Sequence, residues 1–363
     1  MSEVQTKLER IRSLLDAYQM DALWLRLASS FAWATGGKSS YINTASSNGL
    51  ASLLITRDRR YVITNNIEKP RIGGEEGLEA EGWEFIAPEW YSAEDPLAAL
   101  VGGKKVAVDG SAPGMLDLSE PVARLRANLL PAEVERFRLL GRICGDAMND
   151  AIRAVRPGMS ERELAALLAF EAERRGAQAI VNLIATDERI FRYRHPLPSD
   201  KKLDRYAMLV MCGRKWGLVC SVTRLVHFGP LPDELRRKQE ALAVVDATYI
   251  ASTRPNTKLG DIVVQAQAAY AAGGFGGEWR LHHQGGPVGY EAREYLGVPG
   301  SEDEVRENQV YAWNPSITGT KMEDTVLIGA EENVVLTAIP EWPTIPVEIG
   351  GKVYERPAIL VHD

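Results

Sequence analysis

Histidine and cysteine are scarce in this chain, which has five of the first and three of the second among 363 residues. Cys144, Cys212 and Cys220 are too few for a disulfide framework and match no CxxC-type zinc or redox spacing, so they are expected as buried thiols. Long hydrophobic runs are missing: no stretch reaches the roughly 18 apolar residues of a membrane span. The opening MSEVQTKLERIRSLLDAYQM is charged and amphipathic and lacks the apolar segment of a signal peptide. A cytoplasmic protein with no membrane partner is the expectation. Basic excess is missing as well, because a net charge of −7 without a basic run argues against nucleic acid or an anionic membrane surface. The partner left is a small molecule or a short peptide.

What the chain does have is enough apolar material, 45% of its residues with 25% charged, for two soluble domains. Val4, Leu8, Ile11, Leu15 and Tyr18 recur at helical spacing ahead of the apolar DALWLRL, so a helix feeds a strand. NGLASLLITRDRRYVITNN reads as two strands around a polar turn, followed by KKVAVDG and a helical LSEPVARLRANLL. Residues 1–130 are therefore expected as one α/β domain, and 131–363 as a second that begins with a long helix at Pro131.

The second part echoes itself. Ile152-Arg-Ala-Val-Arg-Pro-Gly and Ile250-Ala-Ser-Thr-Arg-Pro-Asn each close one long helix and lead into another, the first through a capping box of Ser160 and Glu163. A duplicated half-domain is the economical reading, with two helix pairs behind a sheet and a cleft between the halves. At the mouth of a glycine-rich turn lies HHQGGPVGYEAR, residues 282–293, where His282 and His283 stand side by side. Adjacent residues on an extended segment point to opposite faces, so this pair is not expected to share a metal ion.

The Arg-Pro-Gly after a long helix, the Gly-x-x-x-Gly hairpin ending in Thr-Arg, the glycine-rich histidine loop and the late MEDTVLI together resemble the pita-bread superfamily of creatinase, prolidase and aminopeptidase P. FAWATGG and the hairpin after it resemble the N-terminal domain those proteins share. The resemblance implies an α/β (α+β) chain, with a creatinase-like N-terminal domain followed by a duplicated pita-bread domain. It also implies a homodimer, for which Phe31, Trp33 and Tyr41 are candidate contacts.

Metallopeptidases of that family hold two divalent ions with two aspartates, one histidine and two glutamates. The resemblance places Val210, Ser221, Gly286 and Asn314 at four of those positions and a retained carboxylate, Glu323, at the fifth. One carboxylate cannot balance two divalent ions, so no metal and no cofactor is expected. Creatinase implies a metal-free precedent, in which a histidine moves the proton during cleavage of a C–N bond. Its position matches His195 of RYRHPLPSD, and imidazole titrates where such chemistry needs it.

On the same resemblance Glu323 meets substrate nitrogen and Arg293 of GYEARE grips a carboxylate, unless Arg293 only pairs with Glu291 or Glu294 at the surface. His283, Asn314, Thr223 and Ser221 complete the expected substrate contacts, and Thr223 in place of a creatinase glutamate makes creatine itself a poor substrate. The reading is a metal-independent hydrolase of a C–N or amide bond in a small carboxylate-bearing compound. The alternatives are an Xaa-Pro aminopeptidase or dipeptidase with a degenerate metal site, and a non-catalytic protein that binds a peptide or metabolite in the old cleft.

Overall fold

The structure is a computed structural model that describes residues 2–93 and 95–362. It forms two compact units, Met1–Ala132 with Trp216–Leu218, and Glu133–Lys215 with Val219–Asp363. In the first, helix Glu3–Tyr18 starts from a capping box of Ser2 and Gln5 and buries Leu8, Ile11 and Leu15. Strand Ala22–Leu27 follows in the middle of a mixed six-stranded sheet, antiparallel to Asn48–Thr56 and parallel to Val106–Val108. Phe31 and Trp33 are both fully buried. They belong to the core of the chain, which removes two of the three residues expected at a dimer contact.

In the second unit the sequence echo is a repeated architecture. Helix Pro131–Arg153 passes through Arg156-Pro157 into Glu161–Glu173, and helix Asp233–Ser252 passes through Arg254-Pro255 into Leu259–Ala272. Ser160 and Glu163 form the expected capping box. Each half carries a four-stranded sheet. The first runs in the order Leu360–His362, Leu218–Phe228, Tyr206–Lys215, Gln178–Thr186, and the second Gly285–Val288, Val310–Trp313, Asp324–Leu327, Val334–Val335.

Strands Tyr206–Lys215 and Leu218–Phe228 join through Trp216 and Gly217, both at positive φ (53° and 74°), as a two-residue hairpin turn with matching twist requires. The second-half core packs Tyr249, Tyr270, Tyr311 and Trp313 with aliphatic residues of both helices. Tyr249 stacks on Trp313 at 4.5 Å between centroids, and each such burial stabilises by roughly 1.5–3 kcal/mol. All three cysteines are free and buried. Among the described residues no helix is long and apolar enough to cross a membrane.

Candidate active site

A cavity of about 320 Å³ opens between the two halves of the second unit. Val181, Leu183, Val210 and Cys212 of the first-half sheet form one wall, and Ala292, Arg293, Asn314, Lys321 and Glu323 of the second half form the other, with His195 and His283 also lining it. Five of the seven residues expected from the sequence are therefore brought together. Thr223 and Ser221 are not cavity residues. They are fully buried in strand Leu218–Phe228 and act through their neighbours: Thr223 Oγ1 donates to Glu323 Oε2 at 2.8 Å, and Ser221 Oγ accepts from Arg293 Nη1 at 3.2 Å. Strand alternation puts residues 221 and 223 on one face, and that face is covered by the second half.

Glu323 is the centre of this wall. Its Oε1 accepts from Arg293 Nη2 at 2.8 Å and its Oε2 meets Lys321 Nζ at 3.0 Å, with all three side chains at least largely buried. Burial alone would raise the Glu323 carboxyl, but Lys321 and Arg293 outweigh it and hold it down at about 2. Arg293 thus pairs with a buried carboxylate across the site and not with Glu291 or Glu294 at the surface, which was the alternative to its gripping a substrate; its Nε is buried without a partner among the described residues. Lys321 was not anticipated, although it stands two residues before Glu323 and so could have been placed on the same strand face. Two cations against one carboxylate leave the wall one positive charge in excess.

The imidazoles lie beside it. His195 Nε2 and His282 Nε2 are 3.0 Å apart, and the His283 ring centroid is 4.6 Å from that of His282 and 5.8 Å from that of His195. The expectation that His282 and His283 diverge is corrected. His282 is extended (φ −155°, ψ 144°), but the pair lies in a short unpaired connection between the helix Glu278–Leu281 and strand Gly285–Val288, where no sheet fixes the two side chains on opposite faces. Partial burial, then Lys321 and Arg293, push His195 below the ordinary imidazole range. Burial, then Lys321, pushes His282 down to about 2, and the partial burial of the His283 ring, then Arg293, pushes that ring down to about 4. The three rings are therefore neutral at neutral pH.

Two side chains that the sequence did not single out, Arg194 and Gln284, set this geometry. Arg194, next to His195, binds Glu278 Oε2 at 2.5 Å and Thr318 Oγ1 at 3.0 Å, which ties the His195 loop to the segment that feeds His282. Gln284 Nε2 donates to His282 O at 2.8 Å, while its Oε1 accepts from Tyr270 at 3.0 Å. A larger cavity of about 440 Å³ borders Trp342 and Tyr354. Its Arg224 and Arg356 are paired with Asp324 and Asp246, and no imidazole is among the residues that line it.

Comparison with known proteins bears on the family. The Xaa-Pro dipeptidase of Pyrococcus horikoshii is 24% identical over 357 residues, covering 90% of this chain and 95% of the relative. The solved Xaa-Pro dipeptidase from Bacillus anthracis superposes with a TM-score of 0.79 at 18% identity, over 99% of this chain and 100% of that one. The N-terminal domain of the FACT complex subunit SPT16 from chickpea superposes at 0.70 and 13% identity, over 93% and 97% of the two chains. The profile of metallopeptidase family M24 matches residues 135–338, more than half of the chain. The chain belongs to metallopeptidase family M24, within the pita-bread superfamily of creatinase, aminopeptidase P and prolidase.

Proposed function

We propose that this chain is a cytoplasmic hydrolase that cleaves a C–N or amide bond in a small carboxylate-bearing substrate, without the pair of divalent ions that the family name implies. The observation that carries the reading is the occupation of Glu323, whose two oxygens already bind Arg293, Lys321 and Thr223. The other positions do not fit a metal pair. Val210 is aliphatic, Ser221 Oγ is bonded to Arg293, and a Cβ at Gly286 would lie 2.4 Å from Tyr295 O, so no ligating side chain has room there. Asn314 retains one neutral oxygen, a buried Oδ1 without a partner among the described residues. Several anionic oxygens are what hard dications need.

The excess positive charge favours an anion instead, and Arg293 and Lys321, which both line the cavity and share the single carboxylate of Glu323, suit a substrate carboxylate. His195 is neutral and can take a proton from the attacking water. In the tautomer that serves this role, its Nε2–H donates to His282 Nε2, which leaves Nδ1 with a free lone pair and steadies the imidazolium that forms. The same proton then passes to the departing nitrogen, so that one water is consumed and an acid and an amine are released. Asn314 lines the same cavity and on this reading orients the scissile group. A panel of Xaa-Pro dipeptides, small carboxylated amides and amidines assayed in chelator tests this: turnover is expected to persist. Activity abolished by chelator and restored by metal would instead support the dipeptidase-like metallopeptidase that the 24% identical relative favours. Saturable ligand binding with no turnover would support the non-catalytic reading.

The reading includes a homodimer. Ile67, Trp90 and Tyr91 of the first unit are at least 60% exposed and offer apolar surface for it. Light scattering should return twice the 40.0 kDa of one chain; a monomer mass at micromolar concentration would remove this part.

A further inference from the structure

Three of the five histidines of this chain, from stretches 87 residues apart, present one nitrogen each within 4.8 Å of one another. We infer that His195, His282 and His283 form a site for a single borderline transition ion of the Zn²⁺, Co²⁺ or Ni²⁺ class, made from different residues than the carboxylate-based metal pair of the family. Tetrahedral Zn²⁺ with Zn–N bonds of about 2.0–2.1 Å separates its ligand nitrogens by about 3.3 Å. His195 Nε2 and His282 Nε2 already stand 3.0 Å apart, so an ion between them needs only a slight opening. His283 is exposed, and a side-chain rotation moves its ring without disturbing packing.

The donor set decides which ion. Three uncharged nitrogens with no free carboxylate suit Zn²⁺, Co²⁺, Ni²⁺ or Cu²⁺ and disfavour Mg²⁺, Ca²⁺ and Mn²⁺, which seek oxygen. In the metal-free protein a hydrogen bridges the two Nε2 atoms. Binding displaces it: the nitrogen lone pair becomes a metal bond and the hydrogen moves to the other nitrogen of its ring or, as a proton, to solvent. Two features set the strength. Among the described residues His282 Nδ1 has no acceptor behind it, a support whose loss costs roughly 10–100-fold in affinity elsewhere. Arg293 and Lys321 exceed Glu323 by one positive charge, so the ion is expected to keep an anionic fourth ligand such as hydroxide or chloride. An ion here takes a nitrogen of His195 and should inhibit turnover, a consequence that rests on the proposed function.

The test uses the untagged full-length chain, stripped with chelator and titrated with Zn²⁺ by calorimetry and with Co²⁺ by visible absorption. One equivalent per chain is expected, with the spectrum of a nitrogen-ligated four-coordinate Co²⁺ ion and no heat from Mg²⁺. His195→Gln and His283→Gln alter exposed rings and should each weaken binding by more than the roughly 10–100-fold of an outer-shell loss. Absence of Zn²⁺ binding, or binding unchanged in both variants, overturns the site and leaves the proposed hydrolase standing. Turnover that requires metal overturns the hydrolase reading and leaves this site standing.

Discussion

Glu323 and Asp324 are neighbours in the chain and face opposite ways, and the two environments are built on opposite plans. Asp324 accepts from Arg224 at 2.8 Å and Arg356 at 2.7 Å, and Arg356 also binds Asp246 at 2.6 Å, so two buried arginines meet two buried aspartates. Thr337 donates a further 2.7 Å hydrogen bond to Asp324. Charge is balanced there and no imidazole is at hand. Glu323 faces the cavity, where two cations outnumber it and neutral histidines stand nearby. The same strand alternation creates both, since Thr223 pairs with Glu323 and Arg224 with Asp324 from the facing strand. Within one protein, a charge cluster that closes on itself serves the fold, and one left unbalanced beside a cavity is available to a ligand.

The comparison breaks if the Asp324 cluster can be opened cheaply. Arg356→Met leaves Asp324 and Asp246 short of their shared partner, and removal of one side of a buried pair should cost about 3–5 kcal/mol. Chemical denaturation should report this loss of stability, and a cost below 1 kcal/mol would mean that the cluster is not structural. On the other face, His195→Ala should leave stability nearly unchanged and lower kcat by roughly 10²-fold or more. Full activity in that variant would remove His195 from the chemistry.

A pH experiment sharpens the contrast. The Glu323 carboxyl is depressed from 4.5 to about 2, so its contribution to stability is fully present above about pH 4.5 and lost as pH falls toward 2. That contribution is of order 3 kcal/mol. Lys321→Met removes the largest opposing charge, and acid unfolding should then begin at higher pH; an unchanged acid midpoint would show that Lys321 does not hold Glu323. The smallest effect concerns the rate profile. His195 lies below its ordinary value of 6.5, so kcat/KM should stay flat from neutrality down to about that pH and fall only below it. In Lys321→Met the acid limb should move upward, because one of the charges that disfavours imidazolium is gone.

The architecture was legible from pattern. Leu8, Ile11 and Leu15 mark the first helix, Ser160 and Glu163 cap another, and the repeated Arg-Pro segments mark a duplication whose halves flank the cavity. Glu323, Arg293, His195 and Asn314 were legible through the family positions they match, and His283 through the glycine-rich loop it opens, three residues from the family position taken by Gly286; all five line one cavity. These are local or periodic signals, carried by spacing along the chain.

Tertiary structure alone decided how those residues engage one another. Nothing in the spacing of His195 and His282, 87 residues apart, announces a 3.0 Å contact, which depends on Arg194 reaching Glu278. Arg293 binds Glu323 rather than a neighbour at 291 or 294 because the strand carrying Ser221 and Thr223 presses both against one wall. The sequence determined which side chains share a strand face, since the alternation of a strand is a local property. Which charges and imidazoles meet across the cleft follows from the packing of one half on the other, and short-range physics acts on that distance in space and not on distance along the chain.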